Sequence, residues 1–325
     1  MDCFAPYQTA FERSLQQYKL PTAPSGLYDP IAYILALGGK RLRPCLVLAA
    51  CESVKQSFEA AQPAALAIEL FHNFTLIHDD IMDEAPLRRG QATVHTKWNL
   101  NTGILSGDAM LILAYQQLAQ YPAPLQSDLL SLFSKTAIEV CEGQEYDVAF
   151  EEQSRVSEPD YIKMIQFKTA VLVGAALQMG ALIGEADEES AALFYDFGMA
   201  LGTAFQIQDD YLDAFGDPAT FGKQVGGDIL ENKKTYLVIK LRELGTSAQR
   251  ASLDYWFENK MSEAPDRKIT EVKQLFVESG AAEATKDAVR RFTLESHRIL
   301  EALEQRGIHT ETLAAFSEAL LLRSL

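Results

Sequence analysis

Two short aspartate motifs carry the densest candidate chemistry in this chain. Asp79, Asp80 and Asp83 stand as DDIMD, and Asp209, Asp210 and Asp213 repeat the spacing as DDYLD. Residues three and four apart share a helix face, so each motif projects two carboxylates side by side with a third on the flank. Like charges so placed repel, more strongly where partly buried, and call for a cation. All-oxygen donors on a rigid helix suit a hard divalent ion. Magnesium held by one or two carboxylates completes its shell with water and phosphate oxygen. One DDxxD alone is as readily a solvated acidic helix end; two copies, each on a strongly apolar helix, favour metal.

Basic residues stand in the breaks beside these motifs. Gly38-Gly39-Lys40-Arg41-Leu42-Arg43-Pro44 separates two helical patterns, Arg88-Arg89-Gly90 follows the first acidic motif, and Gly222-Lys223 through Asn232-Lys233-Lys234 follows the second. Glycine loops let a phosphate approach backbone N–H groups, while Lys and Arg supply charge and paired hydrogen bonds. Any one such run is ordinarily a solvated surface. An acidic helix followed by a basic loop, twice over, points to metal plus phosphate.

The elements that must position these groups read as helices. Apolar residues recur three and four apart over 14–20, 29–37, 44–57, 62–83, 106–120, 127–150, 159–183, 188–214, 233–244 and several C-terminal segments. Strand alternation and Asn-Gly or Asp-Gly hairpin signals are almost absent. Segments 66–81 and 170–183 are apolar most of the way round, which marks central helices wrapped by others. With short loops and no Ser/Gly linker, the expectation is an all-α fold in one domain, 1–325.

Composition narrows the function classes. The 325 residues are 48% hydrophobic and 23% charged, the balance of a globular chain with a sizeable core, which excludes disordered and fibrous classes. The excess of 45 acidic over 29 basic residues gives a net charge of −16, which argues against nucleic acid or anionic lipid as partner. Cys3, Cys45, Cys51 and Cys141 have apolar neighbours and no CxxC spacing, so buried reduced thiols are expected rather than disulfides or zinc ligands. The best apolar stretch, 170–184, is short and interrupted by Gln178, so no membrane span is expected. With no basic segment followed by an apolar run at the N-terminus, the expected location is cytoplasmic.

GGKRLRP, FHNFTLIHDDIMDEAPLRRG, GQEYD, the Lys168-Thr169 pair, FQIQDDYLD and GKQVGGDILENKKTY occur in the order and spacing of the trans-isoprenyl diphosphate synthases. From about residue 38 to 236 the chain resembles that family. The resemblance implies a single large helical bundle around a central active-site cavity, the isoprenoid synthase type, as a homodimer. It implies head-to-tail condensation of isopentenyl diphosphate with an allylic diphosphate (dimethylallyl, geranyl or farnesyl). By the same resemblance, Asp79, Asp83 and Asp209 ligate magnesium, three ions with substrate bound, with Asp80 and Asp213 in supporting or water-mediated roles. Arg88, Lys168, Lys223 and Lys233, with Thr169 and Gln206, hold the allylic diphosphate. Lys40, Arg43, His72 and Arg89 take isopentenyl diphosphate. Thr169, the Lys168 carbonyl and Gln206 offer lone pairs to the allylic cation, and released diphosphate takes the final proton. His72 lies two helical turns before Asp79 and so on the same face; His78 and His95 are expected to be structural.

Product length is the least determined property. Phe74 and Phe71 precede Asp79 by five and eight residues, about 7.5 and 12 Å along a helix axis. By spacing alone both read as core packing. By resemblance, Phe74 matches a chain-length position. Thr75 departs from the double-aromatic pattern of one farnesyl type, and DDIMD lacks the insertion of another. The pattern resembles a geranylgeranyl diphosphate synthase, with farnesyl diphosphate synthase second. An HD-type metal phosphohydrolase built on His78-Asp79, and a non-catalytic regulatory subunit of the same fold, are the alternatives from other classes.

Overall fold

A computed structural model describes residues 4–55, 57–216, 226–258 and 264–321. Its helices are α1 (Ala5–Gln17), α2 (Ser25–Ala36), α3 (Leu42–Lys55), α4 (Gln62–Met82), α5 (Val94–Lys97), α6 (Leu100–Leu118), α7 (Leu125–Glu152), α8 (Glu158–Ile165), α9 (Val171–Ile183), α10 (Glu188–Phe215), α11 (Gly227–Leu230), α12 (Tyr236–Leu244), α13 (Ser247–Glu258), α14 (Pro265–Glu278), α15 (Ala281–Gln305) and α16 (Glu311–Leu321). The two β-strands, β1 (Leu87–Arg88) and β2 (Gln91–Ala92), form a minimal antiparallel hairpin. The all-α class expected from the periodicity is what the chain adopts.

Contacts group the described chain into two compact units. The first comprises Met1–Lys135, Ala175–Tyr195 and Leu303–Leu313. Its core is carried by α4, where Ile68, Leu70, Phe71 and Ile77 are buried along with Leu48 of α3 and Ile31 of α2. Each such side chain contributes about 1.5–3 kcal/mol on burial. Helix α6 approaches α4 closely because Gly107 has no side chain: a Cβ there would fall 2.3 Å from His78 Nε2. The α6 start is set by Asn99, whose side chain accepts from Thr102 N at 2.9 Å.

The second unit comprises Thr136–Gly174, Asp196–Ala302 and Ala314–Leu325. It holds one cluster built on Tyr161, Ile165, Ile207, Tyr236 and Val289, and another on Leu237, Leu241, Leu253, Val272 and Phe276. Between α8 and α9 the helical path makes a π-turn over Gln166–Ala170.

Four expectations need correction. The first helix begins at Ala5, not near residue 14, because Tyr7 and Phe11, four apart, are its buried anchors and Pro6 suits its first turn. The hairpin was missed because its turn is Arg89-Gly90, with φ of 52° and 75°, the two left-handed positions usually filled by Asn-Gly. Glu158–Ile183 runs on through the π-turn and so becomes long and apolar enough by length and composition to cross a membrane. It is 67% buried over its most apolar window, as befits a core helix. Cys45 and Cys51 are buried, with burial raising their thiols to about 12 and about 11, but Cys141 is exposed on α7. Cys3 lies outside the described residues.

Candidate functional site

In the first unit the DDIMD carboxylates sit at the C-terminus of α4, with Asp83 as its capping residue. That end carries the negative pole of the helix dipole, which makes three acids there costly without cations. Arg88 answers one of them: its Nε lies 2.8 and 2.9 Å from the two oxygens of Asp80, whose carboxylate is buried. Asp80 is therefore the holder of Arg88. Asp79 is half-buried and Asp83 exposed.

The hairpin places the neighbouring Arg89 differently. Its guanidinium donates to the carbonyl of Gly38 and packs where a Cβ on Gly39 would stand. Successive residues of one turn thus join the DDIMD helix and the GGKRLRP loop. That loop is built on positive φ values of 74° at Gly38, 133° at Gly39 and 49° at Arg41. Arg41 tolerates this uncommon backbone because its side chain is buried and paired, donating to Glu69 on α4 and to the carbonyl of Leu35. Arg43 follows on the first turn of α3, and Lys40 is exposed.

Arg43 Nη1 donates to His72 Nε2 at 3.3 Å, which requires a neutral ring with its proton on Nδ1. Burial, then the positive charges of Arg43, Arg89, Arg88 and Arg41, holds His72 well below the usual imidazole range. Arg43 Nε is buried with no hydrogen-bond partner. Arg43, with an orphaned Nε donor beside the neutral His72, offers an anion a charged hydrogen-bond donor.

A run of aromatic rings begins on the same helix. Phe74 packs on Phe71 with centroids 5.5 Å apart, Phe71 on Phe133 at 5.2 Å, and Phe133 on Tyr115 at 4.8 Å. Phe71 is fully buried and Phe74 is 9% exposed. His78 Nε2 reaches the carbonyl of Ile104 on α6 at 3.3 Å, so that nitrogen carries the proton. His95 sits on α5 with Nδ1 buried.

In the second unit the DDYLD carboxylates project from the last turns of α10. Asp210 is buried and accepts from Tyr161 Oη at 2.5 Å and from Gln206 Nε2 at 3.2 Å; Gln206 Oε1 in turn accepts from Thr169 at 3.2 Å. The expected pair Thr169 and Gln206 is thereby brought together and tied to the acidic motif. Burial, with the charges of Asp228 and Asp209, pushes Asp210 far above the carboxylate range. Burial and the charge of Asp213 push Asp228 up as well. Asp213 accepts from Asp228 N at 3.0 Å. Lys233 lies 3.6 Å from Asp228 and 3.1 Å from Glu231; burial would lower its pKa, and these acids hold it above the usual lysine value. Lys223 lies outside the described residues.

The π-turn sets Lys168 and Thr169. A π-turn takes one residue out of the regular ladder, a distortion found mostly at functional positions. It is held from α7 by the GQEYD segment: Asp147 takes Lys168 Nζ at 2.5 Å, and Gly143 lets the two backbones touch. Asp147, Gly143, Tyr161, Asp228 and Glu69 were not singled out from sequence. Gly143 and Asp147 stand inside GQEYD, and Asp228 inside GKQVGGDILENKKTY, motifs that carried the resemblance, whereas Tyr161 and Glu69 stand outside every such motif.

The donor set fits magnesium. Among the described residues, no three His, Cys, Asp or Glu side chains are gathered closely enough to hold a metal by themselves. An ion bound by one or two carboxylates and completed by water and phosphate needs no such group. The acids on and beside α10 carry more negative charge than Lys233 offsets, and a divalent ion would relieve it. Asp79 and Asp83 in the first unit, and Asp209 with Asp213 in the second, are the residues that would hold such ions.

Comparison with known proteins bears on the chemistry. Residues 24–275 match the family model described as polyprenyl synthetase. The chain is 37% identical over 284 residues to the geranylgeranyl pyrophosphate synthase of Geoglobus acetivorans, covering 87% of this chain and 86% of that one. It is 33% identical over 324 residues to the short chain isoprenyl diphosphate synthase of Methanothermobacter thermautotrophicus, covering 99% and 98%. A crystal structure of a geranylgeranyl pyrophosphate synthase superposes with a TM-score of 0.94 at 50% identity over 99% of both chains.

Proposed function

We infer the activity from one premise: the chain belongs to the polyprenyl synthetase family, as the match over residues 24–275 shows. It is a prenyltransferase of the short-chain type, condensing isopentenyl diphosphate with an allylic diphosphate. We propose geranylgeranyl diphosphate, twenty carbons, as its product. The observation that carries the diphosphate assignment is Arg43, which reaches His72 Nε2 at 3.3 Å and keeps a buried Nε without a hydrogen-bond partner.

In this reading Lys40, Arg43, Arg89 and His72 bind isopentenyl diphosphate, and Arg43 Nε finds there the acceptor it otherwise lacks. Arg88, Lys168, Lys223 and Lys233 hold the allylic diphosphate. Magnesium, when bound, supplies divalent charge that offsets the aspartates and the negative charge developing on the leaving diphosphate. The cationic side chains act with most effect as that bond breaks, because charge on the leaving oxygen grows toward the transition state. Thr169, the Lys168 carbonyl and Gln206 turn lone pairs toward the allylic cation. The apolar residues of α4 keep water from it. Phe74, backed by Phe71, Phe133 and Tyr115, stops the growing tail.

A homodimer belongs to the same proposal. Helix α6 exposes Leu100, Ile104, Leu105 and Ile112, an apolar stripe that a second copy would cover.

The test is chromatography of dephosphorylated products. Purified protein is given isopentenyl diphosphate and each of dimethylallyl, geranyl and farnesyl diphosphate, with magnesium or with chelator. A twenty-carbon alcohol from every primer, abolished by chelator, is expected. Products stopping at fifteen carbons would replace the length assignment, and no elongation from any primer would sink the activity.

A further inference from the structure

Lys268 on α14 has no solvent exposure, an expensive position for an ammonium. Among the described residues no carboxylate forms an ion pair with it. Its Nζ donates instead to Asn232 Oδ1 and, at 3.4 Å, to the carbonyl of Leu230, with the Phe257 ring centroid 5.5 Å away. Burial draws its pKa below the usual lysine value.

What those acceptors shape is a turn. Leu230 ends α11, and Asn232 stands at φ 60°, in the left-handed region that asparagine visits more readily than most residues. The backbone then folds back so that Lys233 N donates to the carbonyl of Asp228 at 2.9 Å. The start of the segment is fixed on α10, since Gly226 N reaches the Asp213 carbonyl at 2.7 Å and Asp228 N reaches the Asp213 carboxylate at 3.0 Å. Its underside rests on α14, where a Cβ on Gly226 would meet Ile269 at 2.8 Å. Asp213 thus secures the front of the segment and Lys268 the back.

We propose that Lys268 is a positioning residue for the diphosphate site: by holding Asn232 and the Leu230 carbonyl, it fixes the turn that presents Lys233 beside Asp228 and Asp213. This rests on the prenyltransferase reading. A methionine at 268 would fill the same space apart from the ammonium, but would leave Asn232 and Leu230 without their donor. Arginine would restore donors with altered reach.

The experiment compares wild type, Lys268→Met, Lys268→Arg, Asn232→Gly and the Lys268→Met/Asn232→Gly double variant. Steady-state kinetics with magnesium are read separately for each substrate, below the melting temperature of every variant. Lys268→Met is expected to raise KM for the allylic diphosphate about tenfold, with KM for isopentenyl diphosphate unchanged. Lys268→Arg should recover part of that loss. Asn232→Gly keeps the left-handed backbone while removing the acceptor, so it should reproduce the shift, and the double variant should be no worse than either single one. A lowered melting temperature with both KM values at wild type, equal shifts in both, or additive losses in the double variant would overturn the proposal. Calorimetric titration with magnesium and inorganic pyrophosphate reads the same site without turnover. If wild type makes no prenyl product, weaker pyrophosphate binding by Lys268→Met would still support the clamp, and unchanged binding would refute it.

Discussion

Replacing Gly143 by alanine adds one methyl group where α7 meets the π-turn, and backbone is all it can strike. An ideal Cβ at 143 would lie 2.2 Å from Lys168 N, 2.6 Å from the Phe167 carbonyl carbon and 2.7 Å from Lys168 Cα. Ordinary contact begins at 3.4 Å, so the two segments must part by about 1.2 Å, the difference between 3.4 and 2.2. No rotamer can absorb this, which sets the overpacking cost near the top of the usual range, about 3 kcal/mol. Alanine returns about 1 kcal/mol through its better helix propensity. The net is about 2 kcal/mol, or a drop of about 3 °C in Tm for a chain of 325 residues. Catalysis should suffer beyond that, because the methyl displaces the Lys168 carbonyl and the Thr169 hydroxyl; a 1 Å misplacement costs about a hundredfold. The assay is kcat well below the lowered Tm, beside differential scanning fluorimetry and an exposed-site control, Glu142→Ala. A Gly143→Ala enzyme with wild-type kcat and Tm would refute the view that this contact sets the π-turn.

Three further perturbations address separate parts of the site. Phe74→Ala should lengthen the product past twenty carbons by chromatography of the dephosphorylated alcohols, with Phe71 as the next ring met; an unchanged product would put the floor elsewhere. Tyr161→Phe removes a donor to buried Asp210 and should cost about 1–3 kcal/mol in urea denaturation, with a raised magnesium requirement; wild-type values for both would discount that bond. His72, with a folded pKa below its unfolded value near 6.5, binds fewer protons folded than unfolded, so its contribution to stability falls as pH drops below about 6.5. His72→Gln should flatten that acid-side loss in denaturation curves. By NMR, the imidazole of wild type should stay neutral through pH 6 and titrate at higher pH once pyrophosphate is added; a free-enzyme pKa at the ordinary value would contradict the arginine cluster.

The helices and the chemistry of the two motifs were legible because both are local signals. A three-and-four periodicity states itself within a dozen residues, and α4 was bounded to within one residue because Pro63 opens it and the acidic motif closes it. Motif order carried the family, and with it the substrate class. The residues that aim the chemistry were not legible, for they are chosen by contacts between distant segments. Arg41 reaches Glu69, Lys168 reaches Asp147, Tyr161 reaches Asp210, and Lys268 reaches Asn232, each pair separated by 21 to 49 positions. The π-turn is of the same kind: nothing in Gln166–Ala170 predicts an extra residue in the turn, and it is Gly143, a helix away, that leaves it room. Even within DDIMD the sequence could not divide labour between neighbours. Periodicity put Asp79, Asp80 and Asp83 on a helix end, but it is the Arg89-Gly90 turn that swings Arg88 onto Asp80. Which ligands a chain owns follows from residue type and spacing, whereas which of them are already spent on one another depends on where distant backbones pack.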